Sequence, residues 1–463
     1  ALNIQISGTN AIEIGTSRTA NITTLTATSL TVSTDAVVNS LRVGRGGASV
    51  AGNTALGQGA LAANIASGTV NTAVGYFALN ANKDGVYNTA IGYGALALNT
   101  SGTVNTAVGA SALAANTTAS GNNAFGRNAL TANTTGYGNV AIGSNDVATN
   151  PTMASNTTGY YNVAVGNGAL SANTTGYVNT AVGRNTLLSN TTAQSNSAFG
   201  HSALQSTTTG SYNTSIGVST LQSNTTGYYN TAVGYSSQSS GTTAFINSSI
   251  GMYSLSNITT GYGNLAGGYY AGYGLTTGVY NVFLGNQAGY QYIPGGMTTG
   301  TGNICIGAYC DGATASDNYT IVIGYATQGK GTSTGFINPY SGGNMYQGNN
   351  TTTWTTTSDR RIKKNIVDNS EGLEKIKQLR VRNFEYRKKE ELDPELPESA
   401  AIDVSGVQLG VIAQEIREVL PECVKEESTG VLSVNSDRLI WHLVNAVKDL
   451  SAQVDALKAK LGE

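Results

Sequence analysis

The stretch Asn71-Thr72-Ala73-Val74-Gly75 returns as N-T-A-I-G from Asn88, N-T-A-V-G from Asn105, N-N-A-F-G from Asn122 and N-V-A-I-G from Asn139, each copy one 17-residue step after the last. After a jump of 23 the series resumes at Asn162 and holds its 17-residue step to Asn281. After a jump of 22 it returns at Asn303, and Ile321-Val322-Ile323-Gly324 closes it; a weaker first copy starts at Asn53. A fixed short period means stacked units that share one continuous core, because one such unit buries too little to stand alone. Each unit reads as a short strand ending in Gly, an Ala-Leu pair such as Ala169-Leu170, then Asn-Thr-Thr-Gly and often a tyrosine. Two short strands and two turns fit a unit of this length, with glycine supplying positive φ at the turns.

The spacing therefore predicts a mostly β chain: a β-solenoid of 17-residue repeats over 51–324. Sixteen coils about 4.8 Å apart would extend roughly 75 Å. The core side chains are mostly Ala, Val, Ile and Leu, thin for one coil, so lateral closure with other copies is expected, preferably three-fold. The two long jumps insert extra residues near Asp146–Ser155 and Tyr290–Gly296, which should bulge outward. Turn tyrosines (Tyr137, Tyr160, Tyr161, Tyr177, Tyr228, Tyr229, Tyr262) either cover the turns beneath them or form a ladder on which sugar rings stack. Residues 1–50 lack the register and read as a β shaft or adaptor. Residues 325–357 are rich in Gly, Ser, Thr and Asn, with Phe336, Tyr340, Tyr346 and Trp354 interspersed, and read as a distal tip that is a candidate receptor-binding surface. Packing at a three-fold cap is the competing role for these four.

Composition excludes several classes. Charged residues are 11% of the chain and the net charge is −2, so no basic stripe exists to gather phosphates and no nucleic acid is expected. No 18-residue apolar run suggests membrane insertion. Cys305, Cys310 and Cys423 fit no zinc spacing and read as buried thiols, so neither metal nor cofactor is expected. A first residue Ala1 suggests a fragment or processed chain, with any attachment module upstream. A polysaccharide-cleaving enzyme needs two acids held close; in 1–357 only Asp311 and Asp317 are near in sequence.

At Ser358-Asp359-Arg360-Arg361-Ile362-Lys363 the chemistry changes. Residues 1–357 carry 7 Lys/Arg and 6 Asp/Glu; of the totals of 24 and 26, positions 358–463 hold the remaining 17 and 20. This module, 358–463, reads as small and α+β: Leu373, Ile376 and Leu379 on a helical face, an alternating strand at Val381–Tyr386, an exposed loop over Lys388–Ala401, and a helix opened by Gly410-Val411-Ile412-Ala413-Gln414-Glu415. Its last helix carries Ile440, Leu443, Val447, Leu450, Val454, Leu457 and Leu461 at alternating spacings of 3 and 4, a heptad seam that needs partner helices.

The Ser-Asp-Arg-Arg-Ile-Lys-Lys-Asn-Ile start, the Gly-Val-Ile-Ala-Gln-Glu stretch and the terminal heptads resemble the endosialidase-type intramolecular chaperone, the self-cleaving C-terminal domain of phage tail spikes and fibres. The resemblance implies a three-stranded coiled coil and a cut between Thr357 and Ser358. With the resemblance and the composition break at that serine, Ser358 reads as the nucleophile and Lys363 as the general base, which requires a desolvated amine; taken alone, the residues equally fit a surface Ser and Lys with Ser358 as a helix N-cap. His442 is the competing base, and Arg360 and Arg361 are structural or oxyanion-related. The repeats also resemble the β-roll heads of trimeric adhesins, though those units are usually shorter. The implied function is a homotrimeric tail fibre on the virion that attaches to a host-surface glycan or protein and joins tail or baseplate proteins. A bacterial trimeric surface adhesin using the same chaperone, and a depolymerase spike, are the alternatives. The only enzymatic activity expected is self-cleavage.

Overall fold

A computed structural model describes residues 36–38, 41–143, 150–290, 296–338, 345–347, 359–394, 396, 402, 404–426 and 430–462. They fall into two compact units, 1–357 and 358–463.

In the first unit each repeat is one coil. From Thr54–Leu56 to Gly335–Asn338, every strand pairs in parallel with the next, and the register matches the repeat: Ala90 faces Ala107, and Ala107 faces Ala124. The register carries across both long jumps, with Val140 opposite Val163 and Val282 opposite Ile304. The extra residues of those jumps lie largely outside the described segments. Antiparallel strands close both ends, Ala36–Val38 and Leu41–Gly44 before the first coil and Met345–Gln347 after the last. Of the expected shaft over 1–50, residues 1–35 are outside the described segments.

The expectation of two strands per unit is corrected: each coil holds a single strand, mostly of three residues. The Ala-Leu segment instead forms a tight turn with its leucine in left-handed backbone, for example Leu96 at φ 51° and Leu113 at φ 51°. Such backbone costs an L-residue of order 1–2 kcal/mol. Complete burial of the leucine side chain offsets it, since fully burying a leucine contributes about 1.5–3 kcal/mol. The coils still bond to one another there, Leu96 N donating to Ala112 O at 3.0 Å and Leu98 N to Ala114 O at 3.1 Å. Strand geometry is lost at that corner while the coil-to-coil ladder is kept.

Within each three-residue coil strand only the central residue points into the coil: Ala73, Ala90 and Ala107 are buried, and their neighbours face outward. The glycine that ends the strand is obligatory. At Gly92, φ is +137° and an added Cβ would lie 2.6 Å from Gly109 O.

The motif asparagine is also buried. Asn105 donates its backbone N–H and its Nδ2 to Asn88 Oδ1 (3.0 and 3.1 Å), and Nδ2 also reaches Ala119 O at 2.9 Å. A second asparagine ladder runs beside it, Asn99 to Asn82 at 2.8 Å and Asn116 to Asn99 at 2.9 Å. These amides replace the water that buried polar groups would otherwise need. The second ladder breaks at Thr207, whose hydroxyl donates to Asn224 O at 3.1 Å; Asn190 Oδ1 then has no partner among the described residues. Near that break buried Ser215, Ser237, Gln238 and Ser249 interrupt the apolar core, which divides between Ala232 and Ala244.

The second unit has helices α1 (Leu373–Ile376), α2 (Ala413–Val419) and α3 (Ser436–Leu461) with two antiparallel strand pairs, Arg382–Phe384 with Gln408–Gly410 and Val424–Glu426 with Leu432–Val434. Its core is Ile416, Leu420 and Cys423, with Leu379, Val411 and Val434 against it. Asn435 caps α3 by accepting from Arg438 N, and Asp449 on α3 accepts from Leu373 N at 2.9 Å, tying α1 to the long helix. Gly372 allows the approach: a Cβ there would lie 2.6 Å from Asn445 C.

Candidate functional site

Ser358 and Thr357, the expected cut, lie outside the described residues. Immediately after them Asp359 N-caps a short 3-10 helix, Arg360–Ile362, accepting from Arg361 N at 2.8 Å. Its carboxylate also takes the Arg361 guanidinium, Nε at 3.0 and 3.1 Å and Nη2 at 2.5 Å. That pairing, with the backbone bond, holds the Asp359 carboxyl below the usual carboxylate range against a small opposing effect of desolvation. Arg361 is therefore engaged in shaping the turn. Lys363 ends the same helix, its N–H donating to Arg360 O at 3.1 Å, and its side chain is exposed in the single chain. The dry surrounding that a general-base lysine requires is not supplied by the described residues of one chain.

His442, the competing base, sits on the packed face of α3. Its Nδ1 lies 3.0 Å from Glu371 O and its Nε2 2.9 Å from Glu422 Oε1. Cys423 stands beside this pair, its thiol pushed up by burial and by Glu422 while Arg438 pulls it down. The sequence did not announce the grouping of Glu422, Cys423 and His442, because the cysteine and the histidine stand on separate elements and only the packing of α3 joins them.

Ile440, Leu443, Val447, Leu450, Val454, Leu457 and Leu461 are all exposed, Val447 at 67% and Leu461 at 76%. On the adjacent side of α3, toward its start, His442 and Ala446 are buried. The heptad seam thus has no partner within the described residues of this chain.

In the first unit, Phe336 is 2% exposed, with Lys330 Nζ 4.8 Å from its ring centroid, so it packs in the core and presents no contact surface. Tyr340 and Trp354 lie outside the described residues, and of Tyr346 only the backbone, paired with Phe336, is described. The turn tyrosines stack on one another: Tyr137 on Tyr160 at 5.1 Å, Tyr160 on Tyr177 at 4.8 Å, and Tyr228 on Phe245 and Phe245 on Tyr262 at 5.1 and 4.6 Å. Desolvation first, then Tyr177 and Tyr137, push the Tyr160 phenol up. Ring faces inside a ladder are occupied by neighbouring rings, which favours the turn-covering role over sugar stacking. Asp311 and Asp317 are both buried. The Asp317 carboxylate accepts from Ala313 N, Thr314 N and the Thr314 hydroxyl at 2.6, 3.1 and 2.6 Å, so it organises a turn. No helix among the described residues is long and apolar enough to cross a membrane.

The chain thus combines a repetitive β-solenoid with a small charged α+β module, and comparison with known proteins narrows the reading. Residues 358–425 match the family described as chaperone of endosialidase, and the resemblance carried by the Ser-Asp-Arg-Arg-Ile-Lys motif is shown. Over 108 residues, 22% of the chain, it is 38% identical to the long tail fiber protein Gp37 of Enterobacteria phage K3 and equally to that of Enterobacteria phage T2. The matched part is 8% and 7% of those proteins, so the chain spans only a small fraction of the curated relatives it matches.

Proposed function

We propose that the chain is a homotrimeric phage tail fibre for host attachment, assembled by its C-terminal module, which then removes itself by cutting between Thr357 and Ser358. The observation that carries this reading is the chaperone match beginning at Ser358, where the charge composition changes. The likeness to phage long tail fibre proteins supports a place on the virion.

Two exposed apolar features support association with further copies. One is the α3 seam. The other is a column at the third strand position, one residue per coil, including Ile91, Phe125, Ile142, Phe199, Ile216 and Ile250, all exposed in one chain. Three-fold closure rests on the family resemblance. The seam alone places Ile440, Val447 and Val454 at one heptad position and Leu443, Leu450 and Leu457 at the next, a pattern that favours two strands in isolated parallel coiled coils. Light-scattering mass separates the two: a mass of three chains supports the proposal, and a mass of two overturns it.

For the cut, neighbouring chains cover Lys363, leaving a neutral amine that accepts the Ser358 hydroxyl proton as the oxygen attacks the Thr357 carbonyl carbon. The C–N bond breaks, the proton passes to the Ser358 nitrogen, and water hydrolyses the resulting ester to leave a Thr357 carboxylate and a free Ser358 amine. Wild-type protein is expected to give two pieces, 1–357 and 358–463, on a denaturing gel. Ser358→Ala and Lys363→Ala should each leave one full-length band; cleavage at the same bond in either variant removes that residue from the chemistry. Removal of the module leaves the tip over 325–357, where Tyr340, Tyr346 and Trp354 contact the host glycan or protein. Undiminished binding of the triple alanine variant to host cells would sink that assignment.

A further inference from the structure

Glu422, Cys423 and His442 each place one ligand atom within 4.8 Å of the others. These are three donor types that zinc accepts together. Two of the three residues, Cys423 and His442, are buried. The imidazole is already oriented as a ligand would be. A backbone carbonyl can only accept, so the Glu371 oxygen 3.0 Å from Nδ1 requires the hydrogen there. The Nε2 lone pair then points toward Glu422 Oε1, 2.9 Å away. Two acceptors at that separation need something positive between them, either a second ring proton or a metal ion. A carbonyl holding the far nitrogen of a metal-binding histidine is the usual outer support of such sites.

Cys423 is held by its main chain, its N–H donating to Leu420 O at 3.0 Å and its carbonyl accepting from Asn435 N at 2.7 Å. The cysteine and the start of α3 therefore keep their spacing without the ion. A cleft of about 300 Å³, bordered by Asn369, Glu422, Arg438, Trp441, His442 and Asn445, opens beside the group and leaves room for a water as fourth ligand.

We infer that Glu422, Cys423 and His442 form a binding site for a zinc-type divalent cation that clamps α3 to the turn ahead of Val424–Glu426. Binding displaces the thiol proton and any Nε2 proton into solvent; thiolate, carboxylate and neutral imidazole then balance a dication to zero net charge. The clamp fixes the root of the helix that carries the exposed seam. It stands apart from the proposed cleavage chemistry and survives or fails independently of it.

The test is a cobalt titration of the full chain, chelator-stripped under reducing conditions, with any cleavage products left together. One Co²⁺ per chain should bind, with a thiolate-to-cobalt charge-transfer band in the near ultraviolet that Zn²⁺ abolishes by displacement. Cys423→Ser should remove the band, and Cys305→Ala with Cys310→Ala should leave it intact. Glu422→Gln, a change at an exposed side chain, should weaken cobalt binding by at least about tenfold, since loss of even an outer partner costs that much. No band in excess Co²⁺ overturns the proposal and leaves an ordinary Glu422–His442 ion pair; so does a band that follows Cys305 and Cys310 instead of Cys423. If Cys423→Ser does not fold, Glu422→Gln decides, and unchanged affinity in that variant overturns the site.

Discussion

The two units meet the same requirement, satisfying buried polar groups and covering apolar ones, in opposite ways. In the solenoid the repeat does it internally: each coil's asparagine serves the next coil, each strand glycine lets the next carbonyl approach, and charges are nearly absent. The C-terminal module has a small core around Ile416, Leu420 and Cys423 and leaves a seven-residue apolar seam in solvent. The module gathers its uncovered apolar surface on one helix, whereas the solenoid leaves about one exposed apolar residue per coil, as at Ile91 and Phe125. The coils propagate from neighbour to neighbour, whereas the seam on α3 has no cover among the described residues of the chain.

Breaking the module should have the largest effect. Val447→Asp with Leu450→Asp places two carboxylates in the seam and is expected to abolish oligomerisation, read as single-chain mass by light scattering and loss of soluble fibre. A stable oligomer from that variant would move the burden of association to the solenoid's outer column. Next comes the strand glycine: Gly92→Ala meets a backbone carbonyl in a backbone region disfavoured for alanine, and roughly 2–5 kcal/mol of destabilisation is expected from strain and overpacking. The midpoint of guanidinium unfolding measures it. Asn105→Ala removes the Oδ1 that accepts from the buried Asn122 N–H at 3.0 Å and leaves that donor unpaired, and about 1–3 kcal/mol should be lost. The smallest effect runs in the other direction. Thr207→Asn restores the second ladder beneath Asn190 Oδ1 and should stabilise by about 1 kcal/mol, seen as a rise in midpoint. A fall there would mean that the Thr207 hydroxyl bond to Asn224 O outweighs the missing amide.

The architecture was legible because a solenoid writes its register into its period: Asn71, Asn88 and Asn105 recur at the spacing that stacks them, and the α3 seam shows in the same one-dimensional way. The turn geometry was not. Ala-Leu pairs resemble strand residues in composition, and only the closure of a 17-residue coil forces Leu96 and its equivalents into left-handed backbone. Local pattern likewise left Phe336 open between surface and packing, and burial against its neighbours decided it. The joining of Glu422 and Cys423 to His442 had no sequence signal at all, since it depends on the face that α3 turns toward the module's core. Periodic contacts between nearest neighbours are encoded by spacing; contacts between distant, non-repeating segments come into being only when the chain packs, because no interval in the sequence records them.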